Sequence, residues 1–415
     1  MRVLIFSNII LPKIAPQLSM SPHYSGGWIA GLVEELLQSG IVDLIVAFPV
    51  YKLKTKVSGS VSELRYYGFP QKKSDFHEYN YRVEDDVKRI IGEVDPDIVH
   101  VFGTEYPHSL AVLNACEHLG ILDRVVVNIQ GLVSFYARHY YAGVPKSIFL
   151  RWKKSEFIKC GRYEIEALRK VKHVIGRTDW DRACVTQINP SVQYHFCNET
   201  LRNEFYNSNW DIKTCKRHSI FLSQASYPIK GLHIALEMLP YVVKKFPDTH
   251  LYIAGNDVTK NETIKDKLKL GSYGHYIRHL IRKMKVGEYV TFVGSLDEKK
   301  MCERFLQSHV FILPSSIENS PNSLGEAMLL GVPIVATDVG GVKNMLTHDV
   351  EGFIYQHDAP YMLGHYIMTI FDCDKTALIF SENSRVHANA THDKEKNLRE
   401  ILSIYGALCC DSSGK

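Results

Sequence analysis

The sequence predicts an α/β protein made of two Rossmann-like, doubly wound parallel-sheet domains. Short apolar runs alternate with amphipathic segments in both halves of the chain, and this alternation is typical of parallel strands joined by crossover helices. A polar stretch with little periodicity, residues 198–217, separates the two series. A chain of 415 residues is also too long for one hydrophobic core. We therefore expect one domain at residues 1–210, a second at 211–395, and a closing helix at 396–415.

Composition is that of an ordinary folded protein and excludes several classes. Hydrophobic residues make up 45% of the chain and charged residues 23%. The formal net charge of +4 is too small at this length to indicate a nucleic-acid-binding protein. Nine cysteines at irregular spacings favour reduced thiols over a disulfide framework or a zinc site. The sequence shows neither a signal-peptide pattern nor an apolar run of about 18 residues, so we expect a cytoplasmic protein.

The first domain begins with a near-continuous apolar run at residues 2–10, as in a strand buried on both faces of a parallel sheet. Gly26 and Gly27 then precede an amphipathic helix that stops at Gly40. Paired glycines let a ligand approach the backbone, although a tight turn explains them equally well. Further strand-like runs lie at 42–49, 97–103, 124–131 and 173–178.

Polar residues follow several of these first-domain strands. Ligands of doubly wound sheets bind at the carboxyl ends of the strands, which makes His108, Gln130 and Arg177 candidates for ligand contact. A single histidine is more often structural, so this assignment depends on placement in the fold. The Asp-Pro-Asp at residues 95–97 precedes a strand and is interpreted as a turn, not as a metal site.

The stretch from residue 138 to 172 is basic and aromatic, with ten Lys or Arg against three Glu. Two interpretations remain open. An amphipathic helix of this composition suits the surface of an anionic membrane. It equally suits a solvated helix face with an apolar underside.

The most informative stretch is residues 314–341. An apolar run passes through a loop rich in Ser, Asn and Pro into a short helix, and a second buried strand follows. Glu318 lies in the loop and Glu326 lies just inside the helix. The simplest alternative makes Glu318 a solvated loop charge and Glu326 a favourable first-turn residue.

The start of this short helix predicts an anion site. Free backbone amides at Ser323, Leu324 and Gly325 would point at a ligand, and loop residues such as Asn322 add side-chain donors. A carboxylate at Glu326 suits hydroxyl groups better than phosphate, because it only accepts hydrogen bonds. The pattern therefore predicts a ligand with both phosphate and hydroxyl groups, and a nucleotide sugar has both.

The stretch resembles the signature of the retaining glycosyltransferases of group 1, also called family four. That signature has two glutamates separated by seven residues, a GxPxVAT strand and a Gly-Gly turn. The matching residues are Glu318, Glu326, Gly331, Pro333, Val335, Ala336, Thr337, Gly340 and Gly341. The resemblance implies the GT-B fold, in which two Rossmann-like domains face each other across a cleft and the closing helix packs back on the first domain.

The resemblance also implies a reaction. A sugar would move from a nucleotide-sugar donor, UDP- or GDP-linked, to a saccharide or lipid-linked saccharide acceptor, with retention at the anomeric carbon. Cell-surface polysaccharide biosynthesis is the expected setting, without a metal or another cofactor. The expected partners are this donor and acceptor, with no nucleic acid, and with peripheral contact at the inner face of the membrane if residues 138–172 bind lipid.

Roles follow for individual residues. Lys230, next to Gly231 at a strand-to-helix junction, is expected to neutralise the diphosphate, and Glu318 to hold sugar hydroxyls. The donor-binding candidates lie at strand ends or at the helix start: Glu326, Ser323, Leu324, Asn322, Gly294, Ser295 and Asn256. The candidates for the acceptor or phosphate side are Gly26, Gly27, His108, Gln130 and Arg177.

One position departs from the family pattern. Family members commonly carry an Arg five residues before the Lys, where this chain has Ala225. A second cation would then come from elsewhere, with Lys343 and Arg177 as the candidates. Two other functions stay open: a sugar-nucleotide epimerase of the same fold, and a non-catalytic protein that binds nucleotide sugars.

Overall fold

The computed structural model describes residues 1–21, 26–140, 142–144, 148–261, 263 and 272–413. The chain divides into two compact units. The first comprises Met1–Ala137, Ser155–Thr200 and His392–Lys415, and the second comprises Arg138–Lys154 and Leu201–Thr391. The main boundary thus lies at 200/201, ten residues before the predicted 210/211, and residues 138–154 group with the second unit. Within the described ranges, no helix is long and apolar enough to cross a membrane.

The first unit is built on an eight-stranded sheet. Its strands are β1 (Arg2–Phe6), β2 (Asp43–Tyr51), β3 (Val57–Val61), β4 (Leu64–Gln71), β5 (Ile98–Phe102), β6 (Val125–Asn128), β7 (His173–Gly176) and β8 (Gln193–Phe196). They lie in the order β3-β4-β2-β1-β5-β6-β7-β8. All neighbours are parallel except the hairpin of β3 and β4. The winding reverses between β1 and β5, and this switch point is where such sheets bind ligands.

Helices cover both faces of this sheet. They are α1 (Gly27–Ser39), α2 (Tyr81–Val94), α3 (Pro107–His118), α4 (Val133–His139), α5 (Ile148–Lys170) and α6 (Asp179–Ile188). Alternate residues of β1 enter opposite cores, as the two-residue period of a strand requires. Leu4 packs in the cluster that includes residues of α2 and α3, and Ile5 packs in the cluster that includes α1.

The second unit has a six-stranded sheet in which all strands are parallel. Its strands are β9 (Lys216–Leu222), β10 (His250–Ala254), β11 (Val290–Gly294), β12 (Ser308–Leu313), β13 (Ile334–Thr337) and β14 (Phe353–Tyr355). They lie in the order β11-β10-β9-β12-β13-β14. The switch point therefore falls between β9 and β12, whose following loops contain Lys230 and Glu318.

In its described residues, the second unit contains the helices α7 (Leu232–Lys245), α8 (Ser272–Met284), α9 (Glu298–Leu306), α10 (Asn322–Leu330), α11 (Val342–Met345), α12 (Pro360–Asp372) and α13 (Asp374–Thr391). The last helix, α14 (Lys394–Ser413), belongs to the first unit. There Tyr405 is fully buried, and its hydroxyl lies 2.7 Å from Nδ1 of the buried His100 on β5.

The predicted α/β class with two parallel-sheet domains is confirmed, since each unit has a mainly or wholly parallel sheet and each apolar run named for the first domain contains a strand. Four strands were not predicted: β3, β4, β8 and β14. The pattern of β3, VSGSV, is largely exposed and β8 carries no buried residue. β3 and β8 therefore lack the buried apolar run from which a parallel strand is predicted in a sequence.

The structure favours the solvated-face interpretation for the later part of the basic stretch. From residue 155 onward, α5 is part of the first unit, and Ala167 and Leu168 lie in its core. Outward-facing Lys159 and Lys170 form ion pairs with Glu78 and Glu117. The membrane hypothesis therefore rests on the earlier part of the stretch, in which residues 141 and 145–147 lie outside the described residues.

Candidate functional site

Two loops meet at the carboxyl edge of the second sheet. The chain leaves β9 and reaches Lys230, and it leaves the adjacent β12 and reaches Glu318. Lys230 Nζ donates to Glu318 Oε1 at 2.6 Å. Ser315 Oγ donates to the same oxygen at 2.7 Å. The structure thus brings together the two residues that the sequence named as catalytic candidates.

Close backbone approach explains the glycine after Lys230. Gly231 has φ +72°, and a Cβ there would lie 1.8 Å from the carbonyl oxygen of Pro314. Ser316 N donates to Ile229 O at 2.8 Å and links the same two loops. A side chain at position 231 would separate the loops, so the glycine is needed for their contact.

The Gly-Gly turn after β13 supports Glu318 from the other side. Gly341 N donates to Glu318 O at 3.1 Å. Gly340 has φ +51°, and a Cβ there would lie 1.8 Å from that carbonyl oxygen. On β13, Thr337 Oγ1 donates to Ser315 O at 2.8 Å. The GxPxVAT strand and its turn therefore position the loop that carries Glu318.

Lys230 and Glu318 are both largely buried, with side-chain exposures of 17% and 6%. Burial alone lowers the pKa of Lys230, but the adjacent Glu318 carboxylate more than reverses this effect, and Tyr227 adds to it, so the pKa lies above its usual value. Lys230 is therefore a cation throughout the neutral pH range. A fixed positive charge at this place suits an anionic leaving group.

Glu326 has a partner that the sequence did not reveal. Arg202 Nε donates to Glu326 Oε1 at 2.7 Å, and Arg202 Nη2 donates to Oε2 at 2.8 Å. Only 5% of the Glu326 side chain and 13% of the Arg202 side chain are exposed. Burial raises the pKa of Glu326 and Arg202 opposes that rise. No motif marks Arg202, which lies 124 residues away from Glu326 in the chain.

The start of α10 corrects the predicted anion site. The amides of Leu324 and Gly325 donate to Pro321 O, at 2.9 and 3.4 Å, so they are not available to a ligand. Helix α10 begins at Asn322, with Pro321 as its N-cap. Free amides at residues 323–325 would need a helix that begins one residue later. Asn322 and Ser323 are half-buried and keep their candidacy.

The remaining donor-binding candidates follow β10 and β11, which extend the sheet from β9. Gly294 ends β11, and its carbonyl accepts from Gly255 N at 2.9 Å. Asn256 and Ser295 are exposed next to this contact. These residues lie at the predicted carboxyl edge of the sheet.

Position 225 is occupied by a buried alanine without any charge. Of the two proposed substitutes, Lys343 is paired with Asp338 at 2.7 Å on the surface. Arg177 belongs to the first unit, where it donates to Ile129 O at 3.0 Å and pairs with Glu199. In the second unit, the largely buried Arg202 lies beside Glu326, one of the two glutamates of the signature.

The first-unit candidates are joined through hydrogen bonds at their own strand ends. His108 Nε2 lies 2.7 Å from Asn8 Oδ1, and Asn8 Nδ2 donates to Glu105 Oε2 at 2.9 Å. Gly131 N donates to Glu105 Oε1 at 3.0 Å. Burial lowers the pKa of His108 to about 4 and raises the pKa of Glu105 to about 7. His108 is therefore neutral at pH 7.

Glu199 connects the other two first-unit candidates. Gln130 Nε2 donates to Glu199 Oε1 at 2.6 Å, and Arg177 pairs with the same oxygen. Gly26 is the N-cap of α1 with φ +94°, and Gly27 is the first residue of that helix. The sequence-predicted Gly-Gly loop is therefore a helix start, and residues 22–25 before it lie outside the described residues.

No group of three or more His, Cys, Asp or Glu side chains suited to a metal ion occurs in the described part of the chain. The Asp-Pro-Asp sequence forms a turn after α2. Asp95 is the C-cap of α2 with φ +46°, and Asp97 Oδ2 accepts from Arg2 N at 2.7 Å. These aspartates hold the start of β1, which agrees with their interpretation as turn residues.

Comparisons with known proteins find similarities to the second half of the chain. Residues 204–387 match the family described as "Glycosyl transferases group 1". The phosphatidyl-myo-inositol mannosyltransferase of Mycobacterium tuberculosis is 28% identical over 142 residues, which are 34% of this chain and 33% of that protein. The chain spans less than half the length of the curated relatives it matches.

Solved structures resemble the whole chain. Sucrose-phosphate synthase from Thermosynechococcus elongatus has a TM-score of 0.74 at 14% identity, covering 99% of both chains. The Anabaena protein HepE, in complex with UDP-glucose, has a TM-score of 0.68 at 13% identity, covering 98% of this chain and 100% of that one. At these identities the likeness establishes the fold, which is GT-B.

Proposed function

We propose that the protein transfers a sugar from a nucleotide-sugar donor to an acceptor, with retention at the anomeric carbon, on the premise that residues 204–387 match the group 1 glycosyltransferases. The buried pair of Lys230 and Glu318 carries the proposal, because a cation and a carboxylate meet at the switch point of the second sheet, where ligands of such sheets bind. The donor is UDP- or GDP-linked. The acceptor is a saccharide or a lipid-linked saccharide of cell-surface polysaccharide synthesis.

Charge development gives Lys230 its role in this proposal. As the glycosidic bond breaks, negative charge grows on the nucleoside diphosphate, and the Lys230 ammonium stabilises that charge. Gly231 allows the loop of Lys230 to pack against Pro314, and this contact sets the position of the cation. The departing phosphate then helps to deprotonate the acceptor hydroxyl on the same face of the sugar.

Glu318 has a separate role toward the transferred sugar. Its Oε1 accepts from Lys230 and Ser315, whereas no described residue donates a hydrogen bond to Oε2. That second oxygen accepts from sugar hydroxyls in the proposed complex. Glu326 correspondingly accepts from the ribose hydroxyls of the donor. Lys230 provides the charge stabilisation, so we propose that activity survives treatment with EDTA.

Donor identity is tested by thermal shift with UDP, GDP and ADP and with their glucose and mannose conjugates. A ligand that binds only the folded state at 100 times its Kd stabilises by about 2.7 kcal/mol. Transfer is then measured with the stabilising donor and a panel of saccharide acceptors, and product anomers are assigned by NMR. Epimerised donor without any acceptor product would favour the epimerase, and binding without turnover would favour the non-catalytic protein.

A lipid-linked acceptor would bring the enzyme to an anionic membrane. We propose that residues 138–154 make this contact, because the later part of the basic stretch is committed to the first unit. Sedimentation with phosphatidylserine-containing liposomes should then fall steeply between about 50 and 300 mM salt, because the screening length shortens about 2.4-fold over that range. Absence of pelleting at low salt would remove the membrane from the proposal.

A further inference from the structure

Glu326 belongs to the family signature but its partner Arg202 does not. The contact between them nevertheless has well-defined geometry. Two parallel hydrogen bonds of 2.7 and 2.8 Å join the guanidinium edge to the carboxylate. Such a bidentate fork fixes the plane of a carboxylate as well as its charge. The guanidinium also lies over the Phe205 ring, 4.7 Å from its centroid. Arg202 is therefore held in place by packing as well as by charge.

We infer that Arg202 is a positioning residue for Glu326, and that through this carboxylate it sets the preference of the enzyme for a ribose-containing donor. The inference rests on the proposed function, in which Glu326 accepts from the ribose hydroxyls. A carboxylate has about four acceptor positions on its two oxygens. The fork occupies one on each oxygen and fixes the orientation of the other positions.

The surroundings explain why Glu326 needs this partner. Glu326 is 4% exposed, on a helix whose next residues are all buried, and an unpaired buried carboxylate is costly. Glu298, the first residue of α9, adds a repulsive negative charge, and burial and Glu298 both raise the pKa of Glu326. Glu298 itself accepts from Glu204 N at 3.1 Å. Cys302 of α9 also interacts with Glu326, and burial raises the pKa of its thiol, so it adds no positive charge. Among these groups, Arg202 is the one that favours the charged, hydroxyl-accepting form.

Removing the arginine should change recognition of the ribose more than recognition of the phosphate. The wild type is expected to bind UDP about tenfold more tightly than 2′-deoxy-UDP or 3′-deoxy-UDP, the scale of one hydrogen bond to a charged group. GDP and its deoxy analogues replace these probes if the donor is GDP-linked. Arg202→Gln should reduce that preference to about twofold or less. Affinity for the deoxy analogues should change little.

A pH series separates positioning from general damage. Without Arg202, the pKa of Glu326 should rise further, so that Arg202→Gln loses its ribose preference at a higher pH than the wild type does. Arg202→Lys should keep the charge but lose the fork, and it should recover only part of the preference.

Arg217→Gln is the matched control, because Arg217 forms an ion pair of 2.6 Å with Asp374 in the same unit but away from the motif. It should leave the preference unchanged. If Arg202→Gln does not fold, Arg202→Lys and Glu326→Gln test the same point by calorimetry.

Each outcome bears on a different claim. No binding of any nucleoside diphosphate to the wild type would overturn the proposed function together with this inference. A ribose preference that persists unchanged in Arg202→Gln and Arg202→Lys would overturn the inference alone. Tighter binding of UDP to Arg202→Gln would also overturn it, because Arg202 would then compete with the ribose for Glu326.

Discussion

Lys230 Nζ lies 2.6 Å from Glu318 Oε1, across 88 residues of sequence. The contact joins the loops that follow two adjacent parallel strands, β9 and β12. Both side chains are mostly buried, so each charge depends on the other for compensation. The pair therefore serves the stability of the loops as well as the proposed chemistry, and experiments on either residue must separate these two effects.

Lys230→Ala should lower the turnover of sugar transfer by about two to three orders of magnitude, the scale for loss of one preorganised donor. The charge that Lys230 meets grows as the glycosidic bond breaks, so the affinity for the donor should change much less. With Ala225 in place of the usual arginine, little compensation is expected. Single-turnover transfer at saturating donor is the measurement.

Two companion variants control this experiment. Lys230→Arg should rescue only in part, because a planar fork does not replace a compact ammonium beside Gly231. Lys230→Ala alone leaves the buried Glu318 carboxylate without its cation, and the double variant Lys230→Ala with Glu318→Gln removes that charge. Comparing the Tm of the single and double variants reports the effect on folding. If the turnover of Lys230→Ala lies within about threefold of wild type, the lysine is only a charge at a helix start. A threefold change in rate corresponds to less than about 1 kcal/mol of activation free energy.

Glu326→Ala should weaken donor binding by about 1.5–3 kcal/mol, the value of a hydrogen bond to a charged group. The substitution also leaves Arg202 without its carboxylate, so Tm must be measured in parallel. Isothermal calorimetry with the preferred nucleotide is the readout. A nucleotide affinity equal to that of the wild type would exclude Glu326 from the donor site.

Gly231→Ala should destabilise the second unit by more than about 2 kcal/mol. An L residue at φ +72° costs about 1–2 kcal/mol, and the new Cβ would also displace the Pro314 carbonyl, 1.8 Å away. Gly294→Ala is the control, because Gly294 has a similar φ of +78° but a Cβ there would meet no described atom within 4 Å. Equal losses of Tm in the two variants would show that the contact with Pro314 is not a constraint.

The buried His100 should make the first unit sensitive to acid. Burial lowers the pKa of His100 to about 3, well below the 6.5 of an exposed histidine. The unfolded chain therefore binds one more proton between these values, and the stability contributed by the neutral ring is lost as the pH falls below about 6.5. The slope reaches about 1.4 kcal/mol per pH unit for one proton.

His100→Gln tests this assignment through the pH dependence of the unfolding temperature. Between about pH 6 and pH 4, the variant should lose less stability than the wild type, by the contribution of one histidine. Burial also lowers the pKa values of His108, His233 and His309, and these residues should keep their contributions. Tyr405→Phe, which removes the hydroxyl bonded to His100, should lower stability at pH 7 by about 1–3 kcal/mol. An unchanged acid profile in His100→Gln would assign the sensitivity to the other histidines.

Sequence by itself determined the α/β class, most of the strands and the identity of the motif residues. Buried parallel strands are near-continuous apolar runs, and the Glu318 to Gly341 signature is local, so both are visible in the order of residues. The resemblance to the family pattern also identified Lys230 and Gly231, which lie at a strand-to-helix junction. The sequence did not show which amides of α10 remain available, because that depends on where the helix begins, and Pro321 already uses those of Leu324 and Gly325.

Only the tertiary structure decided which charges meet. Arg202 lies in a polar stretch without periodicity, and its fork with Glu326 spans 124 residues. Neither spacing nor residue type encodes such a contact, because it arises when separate elements of the second unit pack together. The same holds for the approach of Gly231 to Pro314 and of Gly340 to Glu318. Local pattern specifies the elements of this protein, and packing between distant elements specifies the site.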